Sequence, residues 1–146
     1  MASILVIDDD RAVLATIKIL LERASHTVEV VDNSRAGLQL LAAQSFDLLV
    51  VDIFMPGMDG FETMRQVHLS RPDMPVIVIS GQQFSLASEH APDFLHMATR
   101  LGAVSSLQKP FKPADLLAVV NGSLSSSQLL PGLHGNSSAG IPSERQ

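Results

Sequence analysis

Short runs of consecutive apolar, mostly β-branched residues recur along this chain, and they constrain its fold more than any other feature. Ile4-Leu5-Val6-Ile7, Leu48-Leu49-Val50-Val51 and Val76-Ile77-Val78-Ile79 contain no polar residue that could face water. A strand with one wet face alternates polar and apolar side chains, whereas a strand covered on both faces does not. A chain with several such strands must therefore lay helices on either side of a parallel sheet. The intervening segments have the periodicity to do this. Val13, Leu14, Ile17, Leu20 and Leu21 recur at helical spacing, with Lys18, Glu22 and Arg23 on the other side. Asp9 or Asp10 stands where it would cap that helix. Ser34 begins a second helix with Leu38, Leu41 and Ala42 on one face, and Phe61, Met64 and Val67 point inward from a third.

Two weaker strands complete the set, Thr27 to Val31 and Ala103 to Leu107. Pro113, at a first helical position, opens a last helix that carries Leu116, Leu117 and Val120. Between Gln82 and Leu101 the pattern is mixed: Pro92 marks a loop, while Phe94, Leu95, Met97, Ala98 and Leu101 have helical spacing. Strands alternating with helices predict an α/β fold, a flavodoxin-like doubly wound five-stranded parallel sheet of order 2-1-3-4-5 built as (βα)5. It would occupy residues 1–121, and the Ser-, Gly- and Pro-rich composition after Asn121 predicts a flexible tail over 122–146.

Composition narrows the function classes. A length of 146 residues suits one domain, and a formal charge of −5 lacks the basic stripe of a surface that binds nucleic acid directly. There is no cysteine, so neither a disulfide framework nor a thiolate metal site is open to the chain. No apolar run reaches the roughly 20 residues that cross a bilayer, and the first strand starts too close to Met1 to leave room for a secretory signal. A cytoplasmic protein with no membrane partner is the expectation.

The residues at the strand ends carry the chemistry. In a doubly wound sheet, ligands bind at the carboxyl ends of the strands. Those ends carry Asp8 and Asp9, Asp52, Ser80 with Gly81, and Lys109. Carboxylates about 5 Å apart repel by roughly 3 kcal/mol per pair at an effective dielectric near 20. A hard cation relieves that repulsion, and a site made only of oxygen donors suits Mg²⁺ (or Mn²⁺). Lys109 adds a second positive charge, Ser80 a hydroxyl, and the backbone N–H groups of Phe54 and Gly81 further donors. A nucleophile, a metal, a cation and directed donors are the parts that phosphoryl transfer needs.

Taken together and in order, Ile7-Asp8-Asp9, Val51-Asp52, Met55-Pro56-Gly57-Met58-Asp59-Gly60, Ile79-Ser80-Gly81, Gly102-Ala103 and Lys109-Pro110-Phe111 resemble the receiver domain of response regulators from two-component signalling. The resemblance runs from about Ile4 to about Asn121 and implies a CheY-like, single-domain type. It implies Asp52 as phosphoacceptor and Asp8 with Asp9 as the acidic pocket. The metal would be held through Asp8, Asp9 and Asp52 and the backbone carbonyl of Phe54. Ser80 takes the position of the switch hydroxyl, and Lys109 contacts the phosphoryl group. By the same resemblance the donor is a histidine kinase or a histidine phosphotransfer protein, and the domain signals to a downstream protein rather than acting as an enzyme on other substrates. With no effector domain after Asn121, output by protein–protein contact is expected. Two departures stand out. The position three before the lysine, commonly aromatic in the family, is Ser106, and the stretch from Ser80 to Gly102 is longer than the family norm.

Blander readings exist for parts of this set. Asp9 and Asp10 could serve only as a strand exit and helix cap, Lys109 as a solvated turn residue, and Gly81 as a turn glycine. The histidines His26, His68, His90, His96 and His134 show no metal-ligand spacing. An aspartyl phosphatase would need a second acid two residues after Asp52, where Phe54 stands. A flavin protein would need a hydroxyl- and glycine-rich loop after the first strand, where Asp8-Asp9-Asp10 would repel phosphate. A receiver-like module that works without phosphorylation is the remaining alternative. Phe54 is the bulky neighbour of the acceptor and would keep water from the acyl phosphate. Phe54→Asn should therefore raise the dephosphorylation rate of the phosphorylated protein several-fold, read as loss of label with time; an unchanged rate would remove that role.

Overall fold

The computed structural model describes residues 1–53, 60–81 and 98–134. Five strands are present, β1 (Ser3–Ile7), β2 (Thr27–Val31), β3 (Leu48–Asp52), β4 (Val76–Ser80) and β5 (Ala103–Gln108). All pair in parallel in the order β2-β1-β3-β4-β5. The helices are α1 (Arg11–Arg23), α2 (Ser34–Ala43), α3 (Gly60–Ser70) and α4 (Pro113–His134). The expected doubly wound, flavodoxin-like sheet is what forms.

Alternate residues of each strand supply two separate cores. Ile4, Val6, Leu48, Val50, Ile77 and Ile79 face α1 and α4, against Leu14, Ile17, Leu21, Leu116 and Val120. Leu5, Ile7, Leu49, Val51 and Val78 face the other layer, against Leu41 of α2 and Met64 and Val67 of α3. Each fully buried side chain of this size contributes roughly 1.5–3 kcal/mol, so the uninterrupted apolar runs are explained by two faces that both need filling. The two edge strands are the exceptions: β2 exposes Thr27 and Glu29, and on β5 Val104 is 55% exposed and Ser106 is also open to solvent.

The first helix is capped by Asp10, whose side chain accepts hydrogen bonds from the N–H groups of Ala12 (3.0 Å) and Val13 (3.3 Å). That resolves the choice between Asp9 and Asp10 and leaves Asp9 free of capping duty. On α2 the inward line differs from the expected one. Ser34, Gly37 and Leu41 are buried, Leu38 is half-buried, and Ala42 is exposed. Gly37 turns the helix this way, because it lies so close to the sheet that a Cβ there would stand 2.3 Å from Ile7 Cδ1. The last turn of α2 has no basic residue of its own. Arg71, just after α3, supplies one, donating to the carbonyls of Leu41 and Gln44, the second at 3.2 Å. A buried hydroxyl pair ties α2 to α3, Thr63 Oγ1 donating to Ser34 Oγ at 2.7 Å.

The tail expected over 122–146 needs correction. α4 does not stop at Asn121 but continues to His134, and residues 135–146 lie outside the described residues. Gly122 costs such a helix about 1 kcal/mol. The next two residues offset that cost, because Ser123 is 5% and Leu124 9% exposed, with Leu124 joining the α1–α4 core. The expectations for Met55 to Asp59, for Pro92 and for the helical spacing of Phe94, Leu95 and Met97 also fall outside the described residues. Leu124→Ala should lower the unfolding free energy by about 2 kcal/mol in urea titrations followed by circular dichroism. A change within a few tenths would mean that the helix beyond Asn121 does not pack.

Candidate functional site

Each strand next to the site's floor is held in register one residue beyond its own end. Asp8 N–H donates to the Val31 carbonyl (3.2 Å), Ile53 N–H to Ile79 (3.1 Å) and Lys109 N–H to Ser80 (2.7 Å). These bonds fix Asp8, Asp52, Ser80 and Lys109 at the same edge of the sheet, where parallel strands deliver their carboxyl ends together. Asp8 is 0%, Asp52 3% and Ser80 6% exposed, whereas Asp9 opens to solvent. Phe54, whose carbonyl and N–H were expected at the site, lies outside the described residues.

Lys109 reaches between the two buried acids. Its Nζ stands 2.7 Å from Asp8 Oδ2 and 3.0 Å from Asp52 Oδ2, with 18% of the lysine side chain exposed. Asp8 Oδ1 accepts from the Asp10 N–H at 2.9 Å. Asp8 Oδ2 has the ammonium as its counter-charge but no donor aligned on it among the described residues. One ammonium cannot neutralise two carboxylates. Burial pushes the Asp8 carboxyl up to about 6, with the charge of Asp52 adding to the effect, while Lys109 and the Asp10 N–H restore only part of it. Burial also presses on the Lys109 ammonium, yet its hydrogen bonds and attraction to Asp8 and Asp52 outweigh that and raise it above the ordinary lysine range.

The same residues fit a divalent cation. One carboxylate oxygen each from Asp8, Asp9 and Asp52 lies within 4.8 Å of the others, all hard donors, and Asp8 Oδ2 is buried and incompletely bonded. Any ion bound there would complete the neutralisation that Lys109 begins.

The family model "Response regulator receiver domain" matches residues 4–121. The chain belongs to the response regulator receiver family. It is 31% identical over 142 residues to the "DNA-binding transcriptional regulator NtrC" of Rhizobium meliloti, covering 97% of this chain and 28% of that protein. It is 34% identical over 122 residues to the "Transcriptional regulatory protein FixJ" of Bradyrhizobium diazoefficiens, covering 83% of this chain and 56% of that one. This receiver thus spans about a quarter to a half of the length of these curated relatives. Among solved structures, a CheY-like receiver from Methanospirillum hungatei superposes with a TM-score of 0.78 at 30% identity, covering 88% of this chain and 97% of the other.

Of the residues expected at the site, the receiver brings Asp8, Asp9, Asp52, Ser80 and Lys109 to one edge, with Gly81 directly after β4. Two roles are not legible in the sequence, which offers Asp10 only as a candidate cap and Gly60 only within the Met55-to-Gly60 motif. Asp10 fixes Asp8 through its backbone while capping α1 with its side chain. Gly60 packs on the backbone of Asp52 and Ile53, a contact signalled in the sequence only by a glycine eight residues after the acid.

The raised Asp8 value sets a pH dependence. An unfolded aspartate titrates near 3.8 and the folded one near 6, so the native state holds the extra proton between these values. Metal-free stability should therefore fall as pH rises from about 4 to above 6, by about 3 kcal/mol. Lys109 is charged in both states throughout this window and adds no slope. In chelator-treated protein, urea midpoints across that range should decline for the wild type and stay nearly flat for Asp8→Asn; parallel curves would overturn the assignment to Asp8.

Proposed function

We propose that this receiver accepts a phosphoryl group on Asp52 from a phosphohistidine of a histidine kinase or histidine phosphotransfer protein, and passes the signal on through altered protein–protein contacts. The observation that carries this reading is the Asp52 carboxylate itself, buried at the end of β3, paired with Lys109 at 3.0 Å and within reach of Asp8 and Asp9.

In this reading an Asp52 oxygen attacks phosphorus as the phosphorus–nitrogen bond to the donor's imidazole breaks. Lys109 then exchanges its Asp52 oxygen for the incoming phosphoryl oxygens without leaving Asp8, which keeps the ammonium in place throughout. Ser80 contributes its hydroxyl, and the backbone N–H groups of Phe54 and Gly81 complete the donors around the phosphoryl group. Asp8, Asp9 and Asp52, with the carbonyl of Phe54, would hold Mg²⁺ (or Mn²⁺), which supplies the charge needed to bring an anionic phosphoryl group up to an anionic acid. The only covalent chemistry assigned to the domain is the formation and loss of its own acyl phosphate.

The NtrC relative is DNA-binding, but this chain covers 28% of it, and the formal charge of −5 supports a protein rather than a nucleic acid as the direct downstream partner. No helix among the described residues is long and apolar enough to cross a membrane. A cytoplasmic site of action, where histidine kinases present their donor domains, fits this reading.

One observation favours a second reading, a module that signals without phosphorylation. Ser106, paired in register with Val78, is exposed on β5 and offers no aromatic ring to follow the Ser80 hydroxyl. Incubation with Mg²⁺ and acetyl phosphate, followed by intact-mass measurement, separates the two. Wild type should gain one phosphoryl group and Asp52→Asn none. Mg²⁺ at 100 times its Kd should also stabilise the protein by about 2.7 kcal/mol. Failure of the wild type to gain mass with acetyl phosphate and with a phosphorylated histidine donor would leave the second reading.

A further inference from the structure

The contact between Gly60 and the acceptor strand does more than fill space. Gly60 opens α3 and is buried. A Cβ built on it would lie 2.2 Å from the Cα of Ile53, 2.4 Å from the carbonyl oxygen of Asp52 and 2.9 Å from the Ile53 nitrogen. These are backbone atoms, so no side chain can swing aside to make room. The Gly60 N–H also donates to the Ile53 carbonyl at 3.2 Å. The first turn of α3 is thus set directly against the peptide that follows the acceptor.

That turn is itself held from behind. Thr63 is fully buried and donates to Ser34 of α2 at 2.7 Å, and Met64 is fully buried in the core. β3 is meanwhile paired on both sides, with β1 and with β4. The end of β3 therefore lies between a fixed sheet and a fixed helix start, and the separation between them is the thickness of one glycine.

We propose that Gly60 is a positioning residue for Asp52: the bare Cα at the start of α3 lets the helix act as a backstop that holds the Asp52 carboxylate in line with Asp8, Asp9 and Lys109. The inference rests on the phosphoacceptor reading above and adds to it a residue that touches neither metal nor phosphoryl group. Mg²⁺ is the sensitive probe, because it demands near-ideal octahedral geometry and tolerates little displacement of a ligand. A side chain at position 60 must push α3 and the Asp52–Ile53 peptide apart, and a misplacement of about 1 Å costs as much as ~10²-fold in geometry-dependent steps.

The test measures Mg²⁺ affinity by titration of the folded protein at low temperature, alongside the rate of acetyl phosphate labelling at saturating Mg²⁺. Gly60→Ala should weaken Mg²⁺ binding at least roughly tenfold and slow labelling by a similar factor. Gly60→Ser should match it, since the clash begins at Cβ. Val67→Ala, on the same helix and buried 1% exposed, should lower stability while leaving both quantities within about twofold of wild type. If Gly60→Ala fails to fold, Thr63→Val carries the test by loosening the same turn from Ser34, with a loss of Mg²⁺ affinity beyond that of Val67→Ala expected. Wild-type values in Gly60→Ala, or equal losses in Val67→Ala, overturn the positioning role and leave the phosphoacceptor reading standing. A wild type that neither binds Mg²⁺ nor takes label overturns both.

Discussion

The ammonium of Lys109, lying 2.7 Å from one buried carboxylate and 3.0 Å from another, is the interaction on which the site depends. Two acids held at one sheet edge repel, and among the described residues Lys109 is the cation set between them. Burial, with the charge of Asp52 adding to it, lets Asp8 hold its proton to about 6. A site left short of positive charge attracts a cation, and a divalent ion held by hard oxygen donors answers that need.

The backbone around the site is arranged to keep that imbalance in place. Ladder bonds run one residue past the ends of β1, β3 and β5, so the acids and the lysine sit on rigid strands rather than on mobile turns. Asp10 holds Asp8 by a backbone N–H and anchors α1 by its side chain, joining the acid pocket to a helix start in three residues. On the opposite side, α3 meets the end of β3 with no intervening side chain at Gly60. Side-chain chemistry is concentrated at the edge, and its geometry is set by main-chain contacts.

The extent to which this was legible in the sequence follows the strength of the physical signal. Apolar runs such as Leu48 to Val51 can satisfy only a strand buried on both faces, and their ends place Asp8 and Asp52 at one sheet edge without any knowledge of contacts. Signals that depend on close approach were not legible. The orientation of α2 turned on Gly37 nearing Ile7, which exposed Ala42, and a sequence pattern carries no such distance. The helix past Asn121 was missed because Ser and Gly composition resembles a tail, while the burial of Leu124 that holds the helix is a tertiary fact. The Thr63–Ser34 bond and the reach of Arg71 to α2 likewise join residues about 30 apart, whose types alone suggest nothing.

The strand order β2-β1-β3-β4-β5 also bears on how such a chain can assemble as it leaves the ribosome. In chain order, β2 lies beside β1, β3 on the free side of β1, and β4 and β5 each beside the strand before it. No strand has to be inserted between two that are already paired, so growth of the sheet can keep pace with synthesis. Lys109 follows β5 in the chain, so its ion pairs with Asp8 and Asp52 can form only after the last strand has been made.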